Sequence, residues 1–160
     1  MKSLNSSFVL LGIALLAAPA RAQSSTLTWE KRFDGGIGQN DYGTAIEVDG
    51  AGDVYVVGFT FVQQSSNSFI PKFLTLKYDP QGQLLWMRTF GYGFSGGMGA
   101  AYLLALDGSG NAHVAGQVQN GDYWAVVKYD PSGNLLWSQT WATNSAWVTD
   151  PSDMVLTPAG

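Results

Sequence analysis

The chain contains the same ten-residue pattern twice. Residues 77–86 read Lys-Tyr-Asp-Pro-Gln-Gly-Gln-Leu-Leu-Trp, and residues 128–137 repeat that pattern 51 positions later with two substitutions. Across the wider segments 73–90 and 124–141, nine of eighteen positions are identical. Self-similarity at a period of roughly 20 to 50 residues is typical of stacked or radial arrays, whose units bury their apolar surfaces against one another. The repeat therefore predicts similar units packed side by side.

Apolar and polar residues alternate with a period of two in both copies, and Gly, Asp, Asn or Pro bounds each short segment. This pattern is typical of β-strands, and no segment after residue 22 has helical periodicity. We predict an all-β fold whose units are four-stranded antiparallel sheets, arranged as β-propeller blades. The first blade spans 44–90, with strands at 44–49, 54–60, 73–78 and 84–90; the second spans 103–141, with strands at 103–107, 112–118, 124–129 and 135–141.

Two further segments match parts of this unit. Residues 28–33 carry Trp29 and Phe33 at the spacing of Trp86 and Phe90, and residues 153–160 match a first strand. We predict that 28–33 is an orphan fourth strand that closes the last blade of a ring and thereby covers a free sheet edge. Residues 153–160 would begin a third, partial blade, so we interpret the sequence as a segment of a longer propeller.

The repeated unit ends in an Asp-Pro-x-Gly turn followed by Leu-Leu-Trp. Pro favours the first turn position and Gly the position that needs a positive φ, so each turn is expected to join a third and a fourth strand. We expect Trp86 and Trp137 to wedge between adjacent sheets. The whole unit, with its apolar strand ending in Asp, its Gly-Asp or Gly-Asn, and Lys-Tyr-Asp-Pro-x-Gly-x-Leu-Leu-Trp, resembles the SBBP β-propeller repeat of bacterial secreted proteins. The resemblance covers residues 28–160 and implies a propeller without shared catalytic residues.

The N-terminus is typical of a signal peptide. Lys2 precedes an apolar run from Phe8 to Ala18, and Ala20–Ala22 is a small-residue cleavage pattern. The run is shorter than the roughly 20 residues of a membrane-spanning helix. We therefore predict a signal peptide at 1–22, no membrane span in the mature chain, and a secreted, periplasmic or cell-surface location.

Composition excludes several classes of function. The chain has no Cys, which excludes disulfides and thiolate sites. Its formal net charge is −4 and it has no basic run, so it lacks the cationic surface that nucleic-acid binding requires. We expect no nucleic-acid partner.

Alternating strand directions would place the Asp-Gly and Asp-Pro turns at one end of the sheets, the turn end. The irregular connections 61–71, 91–99 and 142–152 would then lie at the other end, the loop end. Binding residues concentrate on loops held by a rigid scaffold. The candidate ligand-binding residues are therefore Tyr92, Phe94 and Trp147; the alternative is that these rings only fill seams between blades.

We expect no cofactor, and calcium is the one candidate metal. Pairs of oxygen-bearing side chains lie two apart around each Asp-Gly turn, and Ca²⁺ prefers oxygen ligands. The candidate ligands are Asp49, Asp53, Asp107 and Asn111. The alternative is that these side chains only stabilise the turns.

No catalytic constellation is evident. Glu30 and Glu47 are the only two Glu residues, and Ala105 replaces Glu47 in the second copy, so no acid and base pair is indicated. His113 is the sole His, in a predicted strand and without a nucleophile motif. We predict a non-catalytic module that is a scaffold or recognition surface for extracellular carbohydrate or protein, with self-association through open blade faces as a further expectation. The alternative is a fragment of a larger secreted enzyme or adhesin whose catalytic or anchoring domain lies beyond Gly160.

Overall fold

The computed structural model describes residues 8–12, 27–91, 99–118, 123–142 and 153–157, and these residues are all β with no helix. The described strands form two four-stranded antiparallel sheets and one two-stranded pair. The predicted all-β class and the two four-stranded units are confirmed. The described part of the chain contains no helix that would span a lipid bilayer.

Each four-stranded sheet is an up-and-down meander in which consecutive strands pair. The two-stranded pair consists of β1 (Phe8–Gly12) and β2 (Trp29–Phe33). The first sheet consists of β3 (Tyr42–Val48), β4 (Val54–Ser65), β5 (Ser68–Tyr78) and β6 (Leu84–Phe90). The second sheet consists of β7 (Ala100–Leu106), β8 (Ala112–Val118), β9 (Tyr123–Tyr129) and β10 (Leu135–Ala142).

The predicted orphan strand exists as β2, outside both four-stranded sheets. It pairs antiparallel with β1, with Phe8 opposite Phe33 and Gly12 opposite Trp29. Because β1 lies inside the predicted signal peptide, cleavage after Ala22 would remove β1 and leave that edge of β2 unpaired. The signal peptide itself stays a prediction.

The expectation of an irregular connection at 61–71 is wrong. Strand β4 continues to Ser65 and β5 begins at Ser68, so the first sheet extends as a long hairpin in which Phe61 lies opposite Pro71. Aromatic and β-branched residues on both sides of the tip continue the two-residue alternation, which keeps the ladder intact beyond the predicted strand ends.

Each sheet has two chemically different faces. One face, here called the tryptophan face, carries the repeated Trp and Lys side chains. In the first sheet it includes Tyr55, Lys77 and Trp86, and in the second sheet the equivalent residues are His113, Lys128 and Trp137. The opposite face is called the aliphatic face. It includes Val54, Val56, Leu74 and Leu76 in the first sheet, and Leu104, Val114 and Val127 in the second.

The tryptophan face of the first sheet packs on the aliphatic face of the second. One buried cluster joins Tyr55, Val57, Phe73 and Trp86 to Ala112, Val114, Val118, Ala125, Val127 and Tyr129. A second cluster packs Trp29 and Phe33 of β2 against the aliphatic face of the first sheet. Strand β2, the first sheet and the second sheet are therefore stacked in one consistent orientation, which buries apolar area at each step.

The segment predicted to begin a third blade, 153–160, is described at residues 153–157. These residues carry no strand pairing, and Val155 is exposed. The third blade stays a prediction.

Candidate functional site

The turns at the turn end share one geometry. In each, an aspartate Oδ1 accepts hydrogen bonds of 2.8 to 3.0 Å from the backbone N–H groups two and four residues later. The third residue after the aspartate is a glycine with φ between 76° and 87°, a conformation that side chains disfavour. The turns begin at Asp49, Asp79, Asp107 and Asp130. The positive φ predicted at Gly82 and Gly133 is confirmed, and Gly52 and Gly110 share it.

Trp86 docks on the turn that ends the third strand of the second sheet. Its Nε1–H donates to the Pro131 carbonyl at 3.0 Å, and Arg88 Nε donates to the Gly133 carbonyl at 2.6 Å. The indole lies so close to Gly133 that a Cβ there would approach Trp86 Cδ2 to 2.8 Å. The Trp86 ring also contacts Tyr129, and burial raises the pKa of that phenol to about 12. The predicted packing of Trp86 between adjacent sheets is confirmed, and the same role for Trp137 stays a prediction.

Two further donors on the same face reach backbone carbonyls of the second sheet. Lys77 Nζ donates to the Pro131 carbonyl at 3.3 Å, and the Tyr55 hydroxyl donates to the Gly110 carbonyl at 3.2 Å. Lys77 Nζ also lies 2.9 Å from Asp53 Oδ2 and 4.8 Å from the centre of the Tyr55 ring. The apolar interface between the two sheets is here called the seam. Hydrogen bonds at the turn end border this seam, and they determine which turn of the second sheet packs against which strand of the first.

Lys77 is buried, and its environment keeps it charged. Burial acts to lower its pKa, but hydrogen bonding with Tyr55 and Asp53 outweighs burial, so the pKa of Lys77 is raised. The Asp49 carboxylate lies 3.6 Å away on the other side. A buried ammonium is stable only when such partners replace its water shell.

The same docking contact occurs a second time, between β2 and the first sheet. Trp29 Nε1–H donates to the Pro80 carbonyl at 3.1 Å, and a Cβ at Gly82 would approach Trp29 Cδ2 to 2.7 Å. The Trp29 ring contacts Tyr78 as the Trp86 ring contacts Tyr129, with centroids 5.9 Å and 6.1 Å apart. The contact between a tryptophan and a turn of the next sheet therefore occurs twice with the same geometry, and it is here called the tryptophan-to-turn contact.

The equivalent groups of the second sheet are present but face no further sheet in the described chain. Asp107 Oδ2 accepts from Lys128 Nζ at 2.9 Å and lies 3.3 Å from His113 Nε2. Partial burial acts to raise the pKa of Asp107, but hydrogen bonds from Asn111, Lys128 and His113 outweigh it and hold that pKa well below its usual range. Trp137 touches the His113 ring edge-on and is 43% exposed, against 8% for Trp86.

The calcium candidates lie in two of these turns, where lysine side chains approach the carboxylates. Lys77 lies against Asp49 and Asp53, and Lys128 against Asp107. The Asn111 amide donates to Asp107 Oδ2 at 2.8 Å. Within the described ranges, no group of three or more His, Cys, Asp or Glu side chains could hold a metal ion. The expected absence of a cofactor stays a prediction, and these side chains act as turn caps and ammonium partners.

The candidate binding residues Tyr92, Phe94 and Trp147 lie outside the described residues, so their role stays a prediction. The connection that carries the first two ends at Gly99, whose N–H donates to the Pro71 carbonyl at 3.0 Å. That bond ties the end of the connection to the long hairpin of the first sheet.

Sequence reasoning missed a buried carboxylate in the loop between β2 and β3. Asp41 is buried, and its Oδ2 accepts from the Gly35 N–H at 2.7 Å. A Cβ at Gly35 would meet Thr60 Oγ1 at 2.6 Å, so only glycine fits between the loop and β4. The adjacent Gly35-Gly36 pair signals a tight loop, but its partner Asp41 is set by tertiary folding and leaves no local motif.

Neither the models of known protein families nor the curated proteins contain a match to this chain.

Proposed function

We propose that the chain is a non-catalytic, secreted β-propeller segment of the SBBP type that presents a recognition surface for extracellular carbohydrate or protein. One observation carries the proposal: the tryptophan-to-turn contact joins β2 to the first sheet and the first sheet to the second in the same way. A joint that is used twice in one direction can be used again, which is how radial and stacked repeats grow.

A structural role for the polar groups supports the absence of catalysis. His113 is buried beside Asp107 and the Trp137 ring. Glu30 is exposed, 3.6 Å from Arg32. The repeated aspartates cap turns, and two of the turns receive the seam donors. Each of these groups thus has a role in folding that accounts for it without a reaction.

Recognition is proposed at the loop end because the turn end is used for joining the sheets. The carbonyls of Pro80, Gly110, Pro131 and Gly133 all accept bonds from the preceding strand or sheet. The irregular connections with Tyr92, Phe94 and Trp147 are instead expected at the loop end from the alternation of strand directions. Aromatic rings with polar neighbours suit the apolar faces of sugars as well as protein surfaces.

Co-sedimentation with insoluble polysaccharides (cellulose, chitin, xylan and peptidoglycan) tests the carbohydrate arm. We expect at least one polymer to retain the protein, and we expect the triple variant Tyr92→Ala, Phe94→Ala and Trp147→Ala to lose retention. Leu136→Ala, an exposed apolar change near the turn end, is the matched control and should bind as wild type does.

Retention that survives the triple variant would contradict recognition at the loop end. Failure of every polymer would remove the carbohydrate arm and leave a protein partner. That arm is tested by chemical cross-linking of the secreted protein on its native cell surface, where the triple variant should lose cross-linked products that Leu136→Ala keeps. Equal cross-linking of both variants would overturn the proposal.

A further inference from the structure

The two outer faces of the molecule are of the same two kinds as the faces that pack together in the central seam. The central seam joins a tryptophan face to an aliphatic face. In the described chain, the outer face of the second sheet is a tryptophan face, and the outer face of the first sheet is an aliphatic face that the two-stranded pair of β1 and β2 covers in part. Within the residues that the structure describes, the two outer faces are therefore complementary, and no four-stranded sheet covers either of them.

The exposed residues on these outer faces mark what is left uncovered. On the tryptophan face of the second sheet, Trp137 and Trp141 are exposed, whereas Trp86, the equivalent of Trp137, is buried in the seam, and Phe90, the equivalent of Trp141, packs against the same cluster. On the aliphatic face of the first sheet, Ile46 is 45% exposed, whereas its equivalent Leu104 is 8% exposed in the seam. Exposed apolar area of this kind on a rigid face marks an interaction surface.

We infer that a second copy of this chain docks head to tail, with the tryptophan face of its second sheet on the aliphatic face of the first sheet. Trp137 would then donate to the Pro80 carbonyl as Trp86 donates to Pro131. The inner strands of the second copy would cover Ile46 and Val48 as the first sheet covers Leu104 and Leu106. This inference rests on the docking contacts and is independent of any ligand at the loop end.

Strand β2 is the built-in competitor for this docking. Trp29 already occupies the Pro80 carbonyl and the surface of Gly82, and Phe33 packs beside it. An incoming second sheet offers Trp137 and four strands, whereas β2 with its partner β1 offers Trp29 and two strands. The second copy therefore displaces β2, and weakening β2 should strengthen association.

Head-to-tail contact differs in its symmetry from a two-fold dimer. After docking, the pair keeps one free tryptophan face on one copy and one free aliphatic face on the other, so association continues to a ring if the rotation closes and to a filament if it does not. A two-fold dimer through two tryptophan faces would stop at two copies. Sedimentation velocity over a concentration series separates these outcomes.

The test uses the purified protein expressed from the full sequence, and the expected result is an increase in mass with concentration beyond the dimer. The double variant Trp137→Ala and Trp141→Ala loses the exposed rings of its outer tryptophan face and should remain monomeric. Ile46→Asp places a charge on the aliphatic half and should also remain monomeric; Val48→Asp repeats this test at a second exposed position. Tyr123→Ala, an exposed aromatic change elsewhere on the second sheet, is the control and should associate as wild type does.

Mixing the two monomeric variants gives the decisive outcome. The double tryptophan variant keeps its aliphatic half and Ile46→Asp keeps its tryptophan half, so the mixture should form a one-to-one heterodimer that stops there. Trp29→Ala should associate at a concentration about tenfold lower than wild type, since loosening β2 removes roughly 1.4 kcal/mol of competition. A wild type that stays monomeric at every concentration, a mixture that stays monomeric, or Ile46→Asp and Val48→Asp both associating as wild type would overturn the inference.

Discussion

The seam between the two sheets and the outer face of the second sheet carry the same chemistry in different surroundings. Trp86 and Lys77 lie in a covered seam, whereas Trp137 and Lys128 lie at the same positions of the repeat with no sheet against them in the described chain. The covered face is held by hydrogen bonds to turn carbonyls. The uncovered face keeps its Lys128 to Asp107 ion pair, and its His113 to Trp137 contact matches the Tyr55 to Trp86 contact of the covered face. The repeat determines which side chains are present, and the neighbouring sheet determines how much each side chain contributes to stability.

The largest difference should appear when each tryptophan is removed. Trp86→Ala deletes a buried ring and its bond to Pro131, and should lower the free energy of unfolding by ~3–5 kcal/mol. Trp137→Ala deletes a half-exposed ring and should lower it by about 1 kcal/mol or less. Urea unfolding of both variants, measured in the dilute monomer, makes the comparison. Equal losses would mean that the two faces are equally covered.

Replacing the two glycines that border this seam should also cost different amounts of stability. Gly133→Ala combines a positive φ with a clash against the Trp86 ring, and should cost ~2–3 kcal/mol. Gly110→Ala has the same backbone strain, but the nearest atom to its Cβ is Pro131 Cγ at 3.5 Å, so about 1 kcal/mol is expected. Thermal unfolding of the pair measures the part that Trp86 adds. No difference would argue against close indole contact.

Replacing the two lysines should lower the free energy of unfolding by amounts that differ less. Lys77→Met leaves the Asp49 and Asp53 carboxylates without their ammonium and removes a bond to Pro131, so a loss of ~1–3 kcal/mol is expected. Lys128→Met breaks one ion pair on the uncovered face and should cost about 1 kcal/mol or less. Chemical unfolding at two salt concentrations should show the greater salt sensitivity for Lys128. A reversed order would contradict the burial difference.

The smallest effect is the pH dependence of the uncovered face. Because the pKa of Asp107 is lowered in the folded chain, its ionised form stabilises the fold at pH values above about 4, the pKa of an unfolded aspartate. That contribution is lost as pH falls from about 4 toward the folded pKa. Asp107→Asn should therefore be less stable than wild type at pH 7, with the gap narrowing below pH 4. Urea unfolding of both proteins between pH 7 and pH 3 measures the gap, and a gap that stays constant over this range would contradict the stabilising role of the ionised carboxylate.

Much of the fold could be predicted because it is encoded locally. The two-residue alternation predicts the strands. The Asp-Pro-x-Gly pattern predicts the turns, because their hydrogen bonds join residues within one five-residue segment. The extended hairpin beyond Thr60 was missed because Ser, Asn and Gln at its tip are typical of loops, while Phe61 and Ile70 continue the ladder. Strand ends depend on cross-strand partners that a linear pattern does not contain.

The joint between the sheets was only half predictable. The repeated Trp indicated a wedge, but its acceptor is a turn carbonyl 45 residues further along the chain. The sequence gives no sign that Lys77 and the calcium candidates belong to one cluster, because they lie on different strands. The same limit applies to Asp41 and Gly35, whose contact forms only when the loop folds onto β4.

Hydrogen–deuterium exchange at the six indole N–H groups, followed by NMR in the dilute monomer, tests the docking contact most directly. Exchange requires the indole hydrogen bond to open. The Trp86 N–H, bonded to Pro131 in the seam, should exchange much more slowly than the Trp137 N–H on the uncovered face. Exchange of Trp86 as fast as that of Trp137 would contradict a tryptophan-to-turn joint between the sheets.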